Sequence, residues 1–149
     1  MEADRLLPLL QDLHASHAAH QPARHTPPLG STDLAVWLQV WLREENIVAL
    51  AAESPQGALL GYLIYELQNR PALPIRAAET RAMLHHISVT EAWRQMGAGK
   101  ALVEAMRAQA LAAGATVVAA TYAPFNTASA ALLQGMGMDP VLTMAEWRA

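Results

Sequence analysis

Between an apolar run, Met83 to Val89, and a helical run, Ala101 to Ala113, the chain reads Arg94-Gln95-Met96-Gly97-Ala98-Gly99-Lys100. A helix that starts immediately after such a turn presents unpaired amides and a partial positive charge, and glycines without Cβ atoms let an anion approach those amides closely. Arg94 and Lys100 add formal charge, Arg94 as a planar fork suited to phosphate oxygens. The pattern points to a diphosphate ligand and requires a strand, a tight turn and a helix in succession. Two phosphate-binding motifs fail by position. A Walker loop needs Ser or Thr after Lys100 and glycine at position 94, where Ala101 and Arg94 stand. A dinucleotide fingerprint needs a small residue at Leu102 and an acid ~20 positions on, yet no acid lies between Glu104 and Asp139.

The rest of the chain is read around that unit. Leu6, Leu10 and Leu13 define a first amphipathic helix, Ala3 to about His20. Gln21 to Gly30 holds three prolines and reads as a loop. Ser31 reads as the N-cap of a helix over Thr32 to Arg43, with Leu34, Trp37, Leu38 and Trp41 on one side. Asn46–Glu53 and Ala58–Gln68, separated by Ser54-Pro55-Gln56-Gly57, form an antiparallel hairpin. After a proline-bearing loop (Pro71–Ala78) come a strand over Met83–Val89 and the turn. A helix ending near Gly114, a strand over Thr116–Tyr122, a helix over Asn126–Met136 and a closing strand over Val141–Trp147 complete the order. The expected architecture is a single α/β domain spanning residues 1–149. It has a mixed, mostly antiparallel sheet, a central parallel β-α-β unit, flanking helices and no strand before the first helix.

Composition narrows the function classes. With 53% hydrophobic residues, 15% charged residues, a net charge of −3 and pI near 6.0, the chain is neither disordered nor globally attracted to nucleic acid or membrane. No apolar run reaches the ~20 residues that span a bilayer. The N-terminus lacks the features of a secretory signal, so a cytoplasmic location is expected. Absence of cysteine excludes disulfides, Cys-based zinc sites and thiol nucleophiles.

Taken in order, Arg94-x-x-Gly97-x-Gly99 after Ile87-Ser88-Val89, a strand over Val117–Thr121, Asn126, and a helix ending Gly137-Met138 resemble the GNAT superfamily of N-acetyltransferases over roughly Asn46 to Met138. The resemblance implies acetyl-CoA as cosubstrate and no metal. Its diphosphate would lie on the amides of the Arg94, Gln95, Met96, Gly97, Ala98, Gly99 and Lys100 segment. Its pantetheine arm would add to the strand edge at Ile87, Ser88 and Val89, with Asn126 and Ser129 opposite. The family's splayed strands and bulge would place a backbone amide, that of Ile87, on the thioester carbonyl.

Direct transfer to an amine needs a base, and His85, four residues before Val89, occupies a position where some small-amine acetyltransferases of this family carry a histidine. His86 is expected on the opposite face of the sheet. The family's usual acid, a tyrosine in the last helix, corresponds to Leu133, which leaves Tyr122 or water to protonate the thiolate. His14, His17 and His20 read as a solvated stripe or the rim of a substrate site rather than as metal ligands. Trp37, Trp41, Tyr62 and Tyr65 read either as core or as an aromatic acceptor pocket.

The expected activity is acetyl transfer from acetyl-CoA to a primary amine of a small molecule or protein through a tetrahedral intermediate. A noncatalytic acyl-CoA-binding regulatory module and a plain interaction domain are the alternatives. Acceptors from lysine side chains and protein N-termini to polyamines, aminoglycosides and arylalkylamines stay open. The missing first strand would leave an open edge and favour a homodimer.

Overall fold

The computed structural model describes residues 3–27 and 30–149, together with all side chains in them except that of Ser31. The element order is α1 (Ala3–His20), α2 (Ser31–Leu42), β1 (Ile47–Glu53), β2 (Leu59–Arg70), β3 (Glu79–Val89), a single 3-10 turn (Glu91–Trp93), α3 (Ala98–Ala112), β4 (Val117–Ala120) and α4 (Thr127–Gly135). The four strands form one mixed sheet in sequence order; β1–β2 and β2–β3 are antiparallel and β3–β4 parallel. A parallel pair needs a crossover, and α3 supplies it.

Side chains of β2 alternate between two cores, as the period of a strand dictates. Leu63 and Tyr65 join Ala82 and Leu84 of β3, Leu102, Val103, Met106 and Ala110 of α3, and Leu133 of α4. Tyr62 and Ile64 turn the other way, onto Leu6, Leu9 and Leu10 of α1 and Leu34 and Leu38 of α2. The sheet is thus covered on both faces, with α3 and α4 on one side and α1 and α2 on the other.

Several expectations shift. Helix α2 begins at Ser31 with Gly30 in the N-cap position, one residue earlier than expected; Pro28 and Leu29 of the preceding loop lie outside the described residues. Strand β3 begins at Glu79, because the proline-bearing loop closes tightly through mutual backbone bonds between Leu73 and Arg76. The closing strand expected over Val141–Trp147 does not form. Val141, Leu142 and Trp147 are 94, 90 and 87% exposed. The alternating pattern there finds no ladder, since β4 offers only four residues as an edge. Glu146 instead makes a surface ion pair with Arg24 at 2.6 Å.

Candidate acyl-transfer site

The register of β2 on β3 slips by one residue. Ile64 pairs with His86 and Tyr65 with Leu84, so His85 is an extra residue, a β-bulge. The bulge suspends alternation and turns His85 and His86 toward the same face of the sheet. Both rings contact Trp41 of α2, at 5.8 and 5.0 Å between centroids. The expectation that His86 faces away from His85 is therefore corrected; a period of two holds only in a regular strand. Beyond the bulge, Ile87 and Val89 pack again on the α3 side.

Pairing of β3 with β4 stops at the same place. Its last rung is Leu84 with Ala120, while β3 runs on to Val89. The Thr90 amide donates to the Leu60 carbonyl at 2.8 Å. An antiparallel ladder alternates, so His86 and Ser88 face β2 whereas Ile87 and Val89 aim their N–H and C=O groups at the gap that β4 leaves. The Val89 carbonyl accepts a bond from Arg94 Nε at 3.2 Å, which folds the arginine back over the end of the strand.

The glycine turn follows directly. Gln95 and Gly97 have φ of 64° and 89°, and Gly97 occupies the N-cap position of α3. A left-handed φ favours glycine at position 97, and a Cβ there would meet nothing within 4 Å, so open space lies beside it. Gly99 has a packing role besides. A Cβ on it would sit 3.2 Å from Leu132 Cδ2, so its smallness brings α3 close to α4. The first intrahelical bond runs from Ala101 N to Gly97 O, which leaves the Ala98, Gly99 and Lys100 amides at the open helix end. Lys100 Nζ stands 4.0 Å from Glu104, a loose surface pair. Arg94, Gln95, Met96 and Gly97 are all exposed. These residues fit an anionic diphosphate: free amides, two cations and room for a ligand.

On the other side of the gap, Asn126 caps α4 by accepting a bond from the Ser129 amide at 3.0 Å. Arg107 of α3 fixes the far end of α4 by donating to the Met136 carbonyl at 2.9 Å. Tyr122, half-buried beside the α3 core, accepts a bond from Gln134 Nε2 at 3.2 Å. Leu133 is 2% exposed in that core. It packs inward, where a tyrosine hydroxyl would have no water.

His85 is more exposed than His86, and its Nε2 lies 2.7 Å from Glu66 Oε2 of β2. The hydrogen bond from His85 holds the Glu66 carboxyl below its usual range against an opposing effect of burial, with help from Gln68 and Arg81. Burial lowers His86 to about 4, reinforced by His85 and His17. It is neutral at pH 7, with Nδ1 buried and unpartnered.

Trp37 stacks on Trp41 at 5.2 Å, and Tyr62 lies beneath His86. Tyr65 points to the opposite core and donates to Gln109 Oε1 at 3.0 Å, so it is not part of the aromatic group expected from sequence. His17 and His20 each bond a carbonyl of their own helix, and their rings pack on Phe125 in the loop before Asn126. Among the described residues, no group of three or more His, Asp or Glu side chains is placed to hold a metal. The hollow bounded by Asn69, Arg70, Glu79 and Gly114 sits at the other end of β3, away from the glycine turn.

Glu66 is the residue that sequence reasoning missed. It stands in β2 with the parity of Tyr62 and Ile64, but its proximity to His85 depends on register and on the bulge.

Residues 10–138 match the sequence profile of the Acetyltransferase (GNAT) family. No curated protein matches the chain significantly in sequence. Among solved structures, a tetramutant of the BH1408 protein from Bacillus halodurans superposes with a TM-score of 0.87 at 16% identity, covering 99% of this chain and 94% of its own. A ribosomal-protein-alanine N-acetyltransferase from Brucella melitensis biovar Abortus 2308 gives 0.72 at 19%, with coverage of 99% and 94%. The aminoglycoside N-acetyltransferase AAC(6')-Iy in complex with CoA gives 0.69 at 18%, with coverage of 93% and 90%.

Proposed function

The chain belongs to the acetyltransferase (GNAT) family, and we propose that it is an acetyl-CoA-dependent N-acetyltransferase acting on a primary amine. One observation carries the reading. The β3 bulge, the end of β3–β4 pairing and the open amides of α3 follow one another at the C-terminal end of β3.

In this reading the amides of Ala98, Gly99 and Lys100 hold the diphosphate, with Arg94 and Lys100 adding charge and the Gln95, Met96 and Gly97 backbone shaping the turn. The edge of β3 at Ile87, Ser88 and Val89 takes the pantetheine arm as an added strand, and the side-chain amide of Asn126, beside Ser129, donates to it. The amide of Ile87 donates to the thioester carbonyl and stabilises the oxyanion that forms on attack. His85 takes a proton from the substrate ammonium, and the freed lone pair forms the new C–N bond. Collapse of the tetrahedral intermediate breaks the C–S bond, the nitrogen gives up its second proton to water to leave the neutral amide, and the thiolate receives a proton from Tyr122 or from water.

CoA release from acetyl-CoA across a panel of amine classes tests the assignment, with calorimetric titration of acetyl-CoA as binding control. Turnover with one class is expected, and no binding at all would sink the reading. A second reading, a noncatalytic acyl-CoA-binding module, is favoured by one feature: the position of the family's acid is held by Leu133, sealed in the core. It predicts binding without turnover. The proposed protein works as a single domain in the cytoplasm. Its β1 lies at one edge of the sheet, where a second copy would pair to give a homodimer; light scattering that shows only monomer at high concentration would dispose of that pairing.

A further inference from the structure

Because the bulge sends two consecutive imidazoles toward α2 while the Ile87 amide stays on the strand edge, an amine attacking a carbonyl at Ile87 arrives beside His85. What surrounds His85 on that face then selects the molecule that carries the amine. Glu66 comes from β2, 2.7 Å from Nε2. From α2 comes Trp41, and stacked on it Trp37, whose surface is 47% exposed. Val36 and Val40, 55 and 60% exposed, extend the same helix as an apolar platform.

A carboxylate beside Nε2 accepts that nitrogen's proton in a hydrogen bond, which keeps the imidazole in the tautomer with its lone pair on Nδ1. Nδ1 is then the atom that takes the proton of the substrate ammonium, and the imidazolium so formed is balanced by Glu66. The acidic equipment is small: among the described residues Glu66 is the carboxylate that hydrogen-bonds His85, so the seat neutralises one positive charge. Beyond it lie indole faces, which attract a cation and stack on flat rings.

We infer, on the premise of the acetyltransferase reading, that the acceptor is a primary amine of single charge carried on a flat apolar group. Its nitrogen meets the His85–Glu66 pair and its ring lies on Trp37 and Trp41. Glu66 is a positioning residue acting through His85. A polyamine or an aminoglycoside brings several charges and hydroxyls that this surface leaves without partners, and desolvating unmatched polar groups opposes binding.

The test measures kcat/KM for four probes, 2-phenylethylamine, a linear triamine, an aminoglycoside and a short peptide with a free N-terminus, with acetyl-CoA affinity followed by calorimetry in every variant. The arylalkylamine is expected to lead by roughly tenfold or more, the scale of discrimination an apolar pocket reaches. Trp37→Ala should raise its KM roughly tenfold with acetyl-CoA affinity unchanged. Glu66→Gln keeps an oxygen for Nε2–H but loses the charge, so the acid limb of the pH–kcat/KM profile should move to lower pH, which a merely structural role would not do. The other groups facing His85 are His86 and Trp41, with Arg81 and His17 farther off. A lead by the triamine, the aminoglycoside or the peptide overturns this inference alone, as does an unchanged KM in Trp37→Ala or an unmoved acid limb in Glu66→Gln. Acetyl-CoA binding without turnover of any probe, or no binding, overturns the acetyltransferase reading and this inference with it.

Discussion

At residue scale, the two glycines of the turn separate cleanly. Gly97 has open space beside it and a left-handed backbone, whereas Gly99 is pressed against Leu132. Gly97→Ala therefore tests backbone strain alone, about 1–2 kcal/mol of stability by chemical denaturation. Gly97→Glu adds an anion where the diphosphate is proposed to lie, and should weaken acetyl-CoA by about a hundredfold beyond the alanine variant in calorimetry. His86 supports a pH prediction. Its folded value, about 4, lies below the ordinary imidazole value of 6.5, so the unfolded chain binds the extra proton. Stability attributable to it is complete above pH 6.5 and is lost as pH falls toward 4. Linkage sets the total at about 3 kcal/mol. Urea midpoints between pH 4 and 7 should show that slope in the wild type and a flatter one in His86→Leu.

At the scale of elements, the bulge is one residue added to an otherwise regular strand. Deleting His85 restores alternation, with Leu84, Ile87 and Val89 keeping their present face. The deletion variant should retain a cooperative thermal transition and lose turnover, as circular dichroism melts and CoA release would show. Position 133 offers the converse test. Leu133→Tyr reinstates the family's residue in a packed core, where overpacking costs typically 1–3 kcal/mol; the melt should fall without a gain in kcat.

The strand-turn-helix unit was legible because glycines, cations and a change of hydrophobic period coincide in one short stretch. The bulge was not, since an inserted strand residue leaves no compositional mark, and so the face of His86 was misread and the partner of His85 missed. Tyr65 is a separate case, because it stands three residues from Tyr62 in β2 and alternation alone puts the two on opposite faces. Val141–Trp147 failed for a related reason: alternation shows that a segment could pair, but not that a free edge awaits it.

At the scale of the whole molecule, stability is concentrated in the two cores on either side of the sheet. The C-terminal segment contributes to neither; residues 139–149 are exposed throughout. Truncation after Asp139 should shift Tm by less than about 3 °C by calorimetry, the effect of well under 1 kcal/mol in a domain of this size.

The sheet between those cores has a further consequence for inheritance. Under the proposed function, the shared cosubstrate is gripped largely by main-chain amides, which every residue except proline supplies, while acceptor choice rests on side chains of α2, β2 and β3 on the opposite face. Mutational drift can then rewrite one face without disturbing the other. Superpositions at TM-scores of 0.72 and 0.87 despite 19 and 16% identity are what such a division of labour allows.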